Sequence, residues 1–229
     1  MAVFFTPETT AFFMDLRYHN NKAFMDENRA RYLQAVREPF YAFIQALSPL
    51  MTDIDPDMET RPNKCLSRIN RDTRFSKDKS PYRDHLWLAF RSGCTGKEGR
   101  PFYWFELAPE TVSWGVGIWG ENRNAMDAMR RRMLARPGDF LPLLPVLRER
   151  GYQLGGSEWK KLSVPEELPA ALKSWYCKRE IYAEHGVLPA EYAFRDDLLS
   201  RVQADFEALR PFYRILLGAA DTAEETAEQ

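Results

Sequence analysis

Between Arg68 and Arg83 the chain reads Arg-Ile-Asn-Arg-Asp-Thr-Arg-Phe-Ser-Lys-Asp-Lys-Ser-Pro-Tyr-Arg, with Asp72 and Asp78 as its acids. This is a composition for gripping an anion. Arg68, Arg71, Arg74 and Arg83 carry planar forks that match phosphate or carboxylate with two parallel hydrogen bonds, and Lys77 and Lys79 add point charge. From Arg61 to Arg83 eight basic residues face two acids, in a chain of 229 residues whose formal net charge is −1. Like charges about 8 Å apart repel by about 0.5 kcal/mol even in water, so the cluster needs compensation. A ligand would supply it, and so would Asp72, Asp78 and Asp84. Ile69, Phe75, Pro81 and Tyr82 are interleaved with the charges, which argues for an ordered path. Three readings stand: an anion site, an internal salt-bridge network, or a solvated hairpin connection.

Two further residue types bear on chemistry. After the basic segment the apolar period becomes two, the mark of β-strands: Leu86, Leu88 and Phe90 alternate with His85, Trp87 and Ala89. Tyr103, Phe105 and Leu107 alternate with Phe102, Trp104 and Glu106, and Val112, Trp114, Val116 and Ile118 with Ser113, Gly115 and Gly117. If the aliphatic series faces the core, the opposite face gathers Arg68, Asn70, Arg83, His85, Trp87, Trp104, Glu106 and the small residues. Flat aromatic surface with few polar groups and room suits a ligand floor. On that reading Trp87 and Trp104 bind ligand and His85 or Glu106 transfers protons. Burial of this face under the carboxy-terminal helices is the alternative.

Other motifs carry less. Gly115-Val-Gly-Ile-Trp-Gly120 matches a dinucleotide fingerprint literally, but antiparallel strands are the wrong setting and the glycines better serve close approach. Cys65, Cys94 and Cys177 with three scattered histidines form no metal pattern, and Cys177 near Lys178, Arg179 and His185 is a weak candidate for a thiol nucleophile, with a buried or inert cysteine the favoured reading. Arg74-Phe-Ser76 is a short basophilic phosphorylation context, although Ser76 is equally suited to bonding the loop backbone. No nucleophile elbow or zinc-protease helix is present.

The elements that must position these groups are readable by period and cap. Thr6, Pro7 and Glu8 start a first helix with Phe12, Phe13 and Leu16 inward, ending near His19. Asn20 and Asn21 begin a second with a stripe from Phe24 to Leu50, kinked or divided at Pro39. A strand over Lys64 to Asn70 precedes the three alternating segments, which join through Ser92–Arg100 and Ala108–Thr111 as hairpins. Helix resumes from Asn122 to Leu134, its Arg130, Arg131 and Arg132 facing solvent or extending the basic patch, then a shorter stretch runs through Arg150. A last helix carries Leu198, Val202, Phe206, Leu209, Tyr213 and Leu216, bent at Pro211.

The expected fold is α+β, an antiparallel sheet of about four or more strands between amino- and carboxy-terminal helices. Residues 1–220 form one domain and 221–229 a disordered acidic tail. The start lacks a signal-peptide pattern and no apolar run approaches about 20 residues, so a cytoplasmic, reduced protein is expected, with no membrane partner. With a balanced charge, a small anionic molecule is favoured over nucleic acid as partner. Cofactor, oligomeric state and whether the protein is an enzyme are not set by the residues.

The long basic segment resembles the signature of the family known as domain of unknown function 2461. The resemblance extends over Phe12 to Tyr32 with its Asn20-Asn21 turn, the Gly115 to Trp119 segment with the arginine-bearing helix after it, Lys160-Lys161 and the Leu172-Lys173 region. Phe24-Met25 stands where the family has an aromatic pair, and Arg83 where it favours lysine, a change that keeps the charge. The resemblance implies one mixed α and β domain and assigns no activity or catalytic residue. Function is therefore read from the basic segment: a ligand bearing phosphate or carboxylate, with an interaction module for an acidic protein or nucleic-acid backbone, or an internal salt-bridge network, as alternatives.

Overall fold

A computed structural model describes residues 3–93 and 99–227. In chain order it contains α1 (Pro7–Tyr18), α2 (Lys22–Glu27), α3 (Arg29–Tyr32), a π-helical turn (Leu33–Arg37), α4 (Glu38–Ile54), α5 (Pro62–Cys65), β1 (Leu86–Arg91), β2 (Phe102–Leu107), β3 (Thr111–Ile118) and α6 (Arg123–Ala135). There follow α7 (Leu143–Glu149), β4 (Tyr152–Gly155), α8 (Lys173–Tyr176), β5 (Ile181–His185), β6 (Leu188–Pro189), α9 (Leu198–Ala208) and α10 (Arg210–Ala227). The fold is α+β. Its six-stranded sheet has the order β1-β2-β3-β5-β4, with β6 paired to β3.

The period-two pattern works because successive strand side chains point to opposite faces. Leu86, Leu88, Phe90, Tyr103, Phe105, Leu107, Val112, Trp114, Val116 and Ile118 are all 0–1% exposed. The opposite series is mixed: Trp87 and Glu106 are half-buried, while Ala89 and Trp104 are buried.

Packing divides the chain into two compact units. One comprises Met1–Phe90, Trp104–Trp114 and Val187–Gln203. Its core is aromatic: Phe5 stacks on Phe105 at 5.6 Å, Phe43 lies 4.9 Å from Phe105, and Phe105 stacks on Trp114 at 6.2 Å. Pro39 is the second residue of α4, and the chain stays helical through it, changing from π to α winding just before rather than dividing. Lacking an N–H, it cannot serve the Ala35 carbonyl four residues back, and the buried Thr9 hydroxyl donates to that carbonyl instead at 2.7 Å. The π-helical turn runs directly into α4, ending at Arg37.

The other unit comprises Arg91–Tyr103, Gly115–Gly186 and Ala204–Gln229. Here β5 pairs antiparallel with both β3 and β4, and Tyr103 packs against Phe206 at 4.8 Å and Tyr213 at 5.1 Å. Gly117 faces Tyr182 across the strands, so close that a Cβ on Gly117 would collide with the Tyr182 backbone.

Several expectations are corrected. Lys64–Asn70 is not a strand: α5 covers its start, and only Leu66 and Asn70 form isolated bridges, to Leu88 and Tyr82. Arg130 does not face solvent. It is 6% exposed because its guanidinium donates to the Tyr176 carbonyl at 2.8 Å and the Lys178 carbonyl, and it pairs with Asp127 at 2.6 Å. Residues 221–227 continue α10 as helix, and Arg100 supplies partners, pairing with Asp221 at 2.7 Å and Glu224 at 2.8 Å. The centre of the Ser92–Arg100 connection, with Cys94, lies outside the described residues, as do residues 228 and 229 of the tail.

Candidate functional site

The basic signature is an irregular hairpin. The Ser67 N–H donates to the Trp87 carbonyl (2.8 Å), the Arg83 N–H to the Ile69 carbonyl (2.8 Å) and the Arg71 N–H to the Pro81 carbonyl (2.9 Å). These bonds leave residues 72–80 as the connecting loop, which is braced by its own groups. Arg71 is bonded to Asp78, Arg74 to Asp72 at 2.6 Å, and Lys79 Nζ to the Thr73 carbonyl at 2.8 Å. The Ser80 N–H donates to Asp78 Oδ1 at 2.9 Å. Hydrogen bonds from Ser80 and then Arg71 hold the Asp78 carboxyl well below the usual range.

At the base of this loop is a cavity of about 340 Å³. The loop contributes Asp78 and Ser80, the residue before it Arg71, the returning segment Tyr82 to His85, and α1 with the turn after it Arg17 and Asn20. Asn20 fixes the register of the returning segment. Its Nδ2 donates to the Tyr82 carbonyl at 2.9 Å and its Oδ1 accepts from the Tyr82 N–H at 3.0 Å.

Charge inside the cavity is largely matched. Arg17 binds Asp84 through Nε at 2.6 Å and Glu110 through Nη1 at 2.5 Å, and these bonds, Glu110's foremost, raise its pKa further. Burial pushes the Asp84 carboxyl up, but hydrogen bonds from His85 and Arg17 outweigh it and hold the group below its ordinary value. Asp84 Oδ1 lies 3.0 Å from His85 Nδ1. In the neutral imidazole that donates Nδ1–H to this carboxylate, Nε2 is left as a proton acceptor. The exception to the pairing is Arg83. Among the described residues it has no carboxylate partner, and its guanidinium rests 4.7 Å from the centre of the Trp87 ring. The His85 ring stacks on the same indole at 5.9 Å.

Of the predicted site residues, the fold brings together Arg71, Arg83 and His85 as lining, with Trp87 propping Arg83 and His85. Arg68, Arg74, Lys77 and Lys79 are exposed and do not line the cavity. Trp104 is buried, 7% exposed, and Glu106 is half-buried; neither reaches it. Arg17, Asn20 and Glu110 were not legible as site residues, because they come from elements distant in the chain. The pairing of Asp84 next to His85 was the local signal available. Among the described residues no group of three or more His, Cys, Asp or Glu side chains is placed to hold a metal ion, and no helix is long and apolar enough to cross a membrane.

These features define an α+β protein with an arginine-lined cavity beside an antiparallel sheet. The family model described as conserved hypothetical protein (DUF2461) matches residues 8–214, and the chain belongs to that family. No curated protein matches it.

Proposed function

We propose that the cavity binds a small molecule bearing a phosphate or carboxylate, with Arg83 as the gripping cation and His85 as the group that exchanges a proton with it. The observation that carries this reading is the state of Arg83, a guanidinium held on an indole, without a carboxylate partner among the described residues, at the wall of a polar cavity. Stacking on an aromatic face fixes the plane of the fork and leaves its edge for an oxyanion. Arg71 stands beside it with its charge shared with Asp78. Asp84 orients His85, so that Nε2 is the nitrogen available to a bound ligand.

A second reading has its own support. The pairs Arg71 with Asp78 and Arg74 with Asp72, and the Lys79 bond to Thr73, make much of the signature self-satisfied. On that reading the signature braces the hairpin and binds nothing.

A thermal-shift screen with inorganic phosphate, phosphorylated sugars, nucleotides and dicarboxylates separates the two. A ligand at about 100 times its Kd stabilises by about 2.7 kcal/mol, a shift of roughly 5–10 °C for a chain this size. Arg83→Ala should abolish the shift while melting close to wild type. A flat screen together with strong destabilisation by Arg71→Ala would favour the bracing reading.

A further inference from the structure

The bracing of the basic loop has a second effect, at its tip rather than its base. Phe75 is 94% exposed. It is the most exposed large apolar side chain among the described residues, and it stands in a segment tied down by three side-chain bonds. A loop free to collapse would turn such a ring inward; this one holds it out, with the Arg74 guanidinium 5.7 Å from its centre. The charge around it is in surplus. Asp72 is matched by Arg74 and Asp78 by Arg71, so Lys77 and Lys79, both exposed, are the cations of the loop with no carboxylate partner among the described residues, Lys79 giving one of its three N–H bonds to the Thr73 carbonyl.

We infer that this tip is a docking surface for single-stranded nucleic acid. A base stacks on the free face of Phe75 while neighbouring phosphates meet Lys77, Lys79 and the outer edge of Arg74. A single strand presents a flat π-face and a negative charge within each nucleotide, the two chemistries that Phe75 and its flanking cations offer together. An anionic membrane is the poorer fit: stable electrostatic anchoring takes about four to eight basic residues, more than this loop leaves unmatched. The site is small, so affinity is modest, sequence-tolerant and sensitive to salt. It is separate from the cavity and does not depend on the ligand proposed there.

The test is fluorescence anisotropy of a labelled 20-nucleotide oligodeoxythymidine with the full chain, from low to physiological salt. Heparin serves as a polyanion without bases, and phosphatidylserine–phosphatidylcholine vesicles as the lipid surface. Phe75→Ala should weaken oligonucleotide binding about tenfold and leave heparin binding unchanged. Lys77→Ala with Lys79→Ala should make the slope of log affinity on log salt shallower by about 1.4. Phe75 is exposed, so an unchanged melting curve separates lost contact from lost fold. Absence of oligonucleotide binding at low salt, equal binding by Phe75→Ala, or Phe75-dependent binding to vesicles in place of the oligonucleotide would each overturn the assignment.

Discussion

The side-chain amide of Asn20 pairs with both backbone groups of Tyr82, 62 residues away, donating to the carbonyl at 2.9 Å and accepting from the N–H at 3.0 Å. An amide used this way stands in for a neighbouring strand. It joins the turn after α1 to the segment that carries Arg83, Asp84 and His85, and so decides where those three side chains point.

Replacing Asn20 by Ala removes one donor and one acceptor and leaves two part-buried backbone groups unserved. Each lost bond costs about 1 kcal/mol and an unserved buried group somewhat more, so Asn20→Ala should destabilise by about 2–3 kcal/mol in urea unfolding. Asn20→Asp keeps the acceptor and sets a carboxylate against the Tyr82 carbonyl, and should be no better than Ala. Equal midpoints for Asn20→Ala and wild type would show that the returning segment holds itself.

The Arg17, Asp84 and Glu110 cluster makes a prediction in pH. The folded-state pKa of both Asp84 and Glu110 lies below the ordinary value, with burial opposing the shift at Asp84 and the Arg17 bond leading it at Glu110. A depressed carboxyl contributes stability that is present above its unfolded pKa, about 4, and is lost as pH falls through the folded pKa. The melting temperature of the wild type should therefore fall below about pH 4. Arg17→Gln should melt a few degrees lower at neutral pH and lose less on acidification, so that the two curves converge. Parallel curves from pH 6 to 2 in calorimetry would show that these pairs contribute nothing to folding.

Half of the sheet was legible, because the signal of β1 to β3 is local: alternation from Leu86 to Ile118 is a property of neighbouring residues, and burial follows from it, whereas β4 to β6 are too short to show a period and were not read as strands. The cavity was half legible. Arg71, Arg83 and His85 lie in one run, but Arg17 and Asn20 come from a helix end that no pattern near Arg83 announces. Arg130 was misread for the same reason. Its partners are carbonyls 46 and 48 residues on, and charge type alone says solvent. The unusual density of charge in the signature was real, yet sequence could not say which charges would satisfy each other; the loop geometry pairs Arg71 and Arg74 internally and leaves Arg83 without a carboxylate among the described residues.

Gly117 tests whether close approach of strands explains the glycine-rich segment. In the register Gly117↔Tyr182, a Cβ built on Gly117 would lie 2.3 Å from Tyr182 Cα and 2.5 Å from the Ile181 carbonyl oxygen. Both obstacles are backbone, so no rotamer change relieves them, and β3 and β5 must separate. Gly117→Ala should cost about 3 kcal/mol or more, at the upper end for overpacking. Gly138 is the control: nothing lies within 4 Å of its built Cβ, so Gly138→Ala should be neutral or slightly stabilising through the unfolded chain. A dinucleotide-binding role predicts a different outcome, with Gly117→Ala folding normally and losing only cofactor affinity. Urea midpoints for the two variants distinguish strand spacing from phosphate binding as the reason for the glycine.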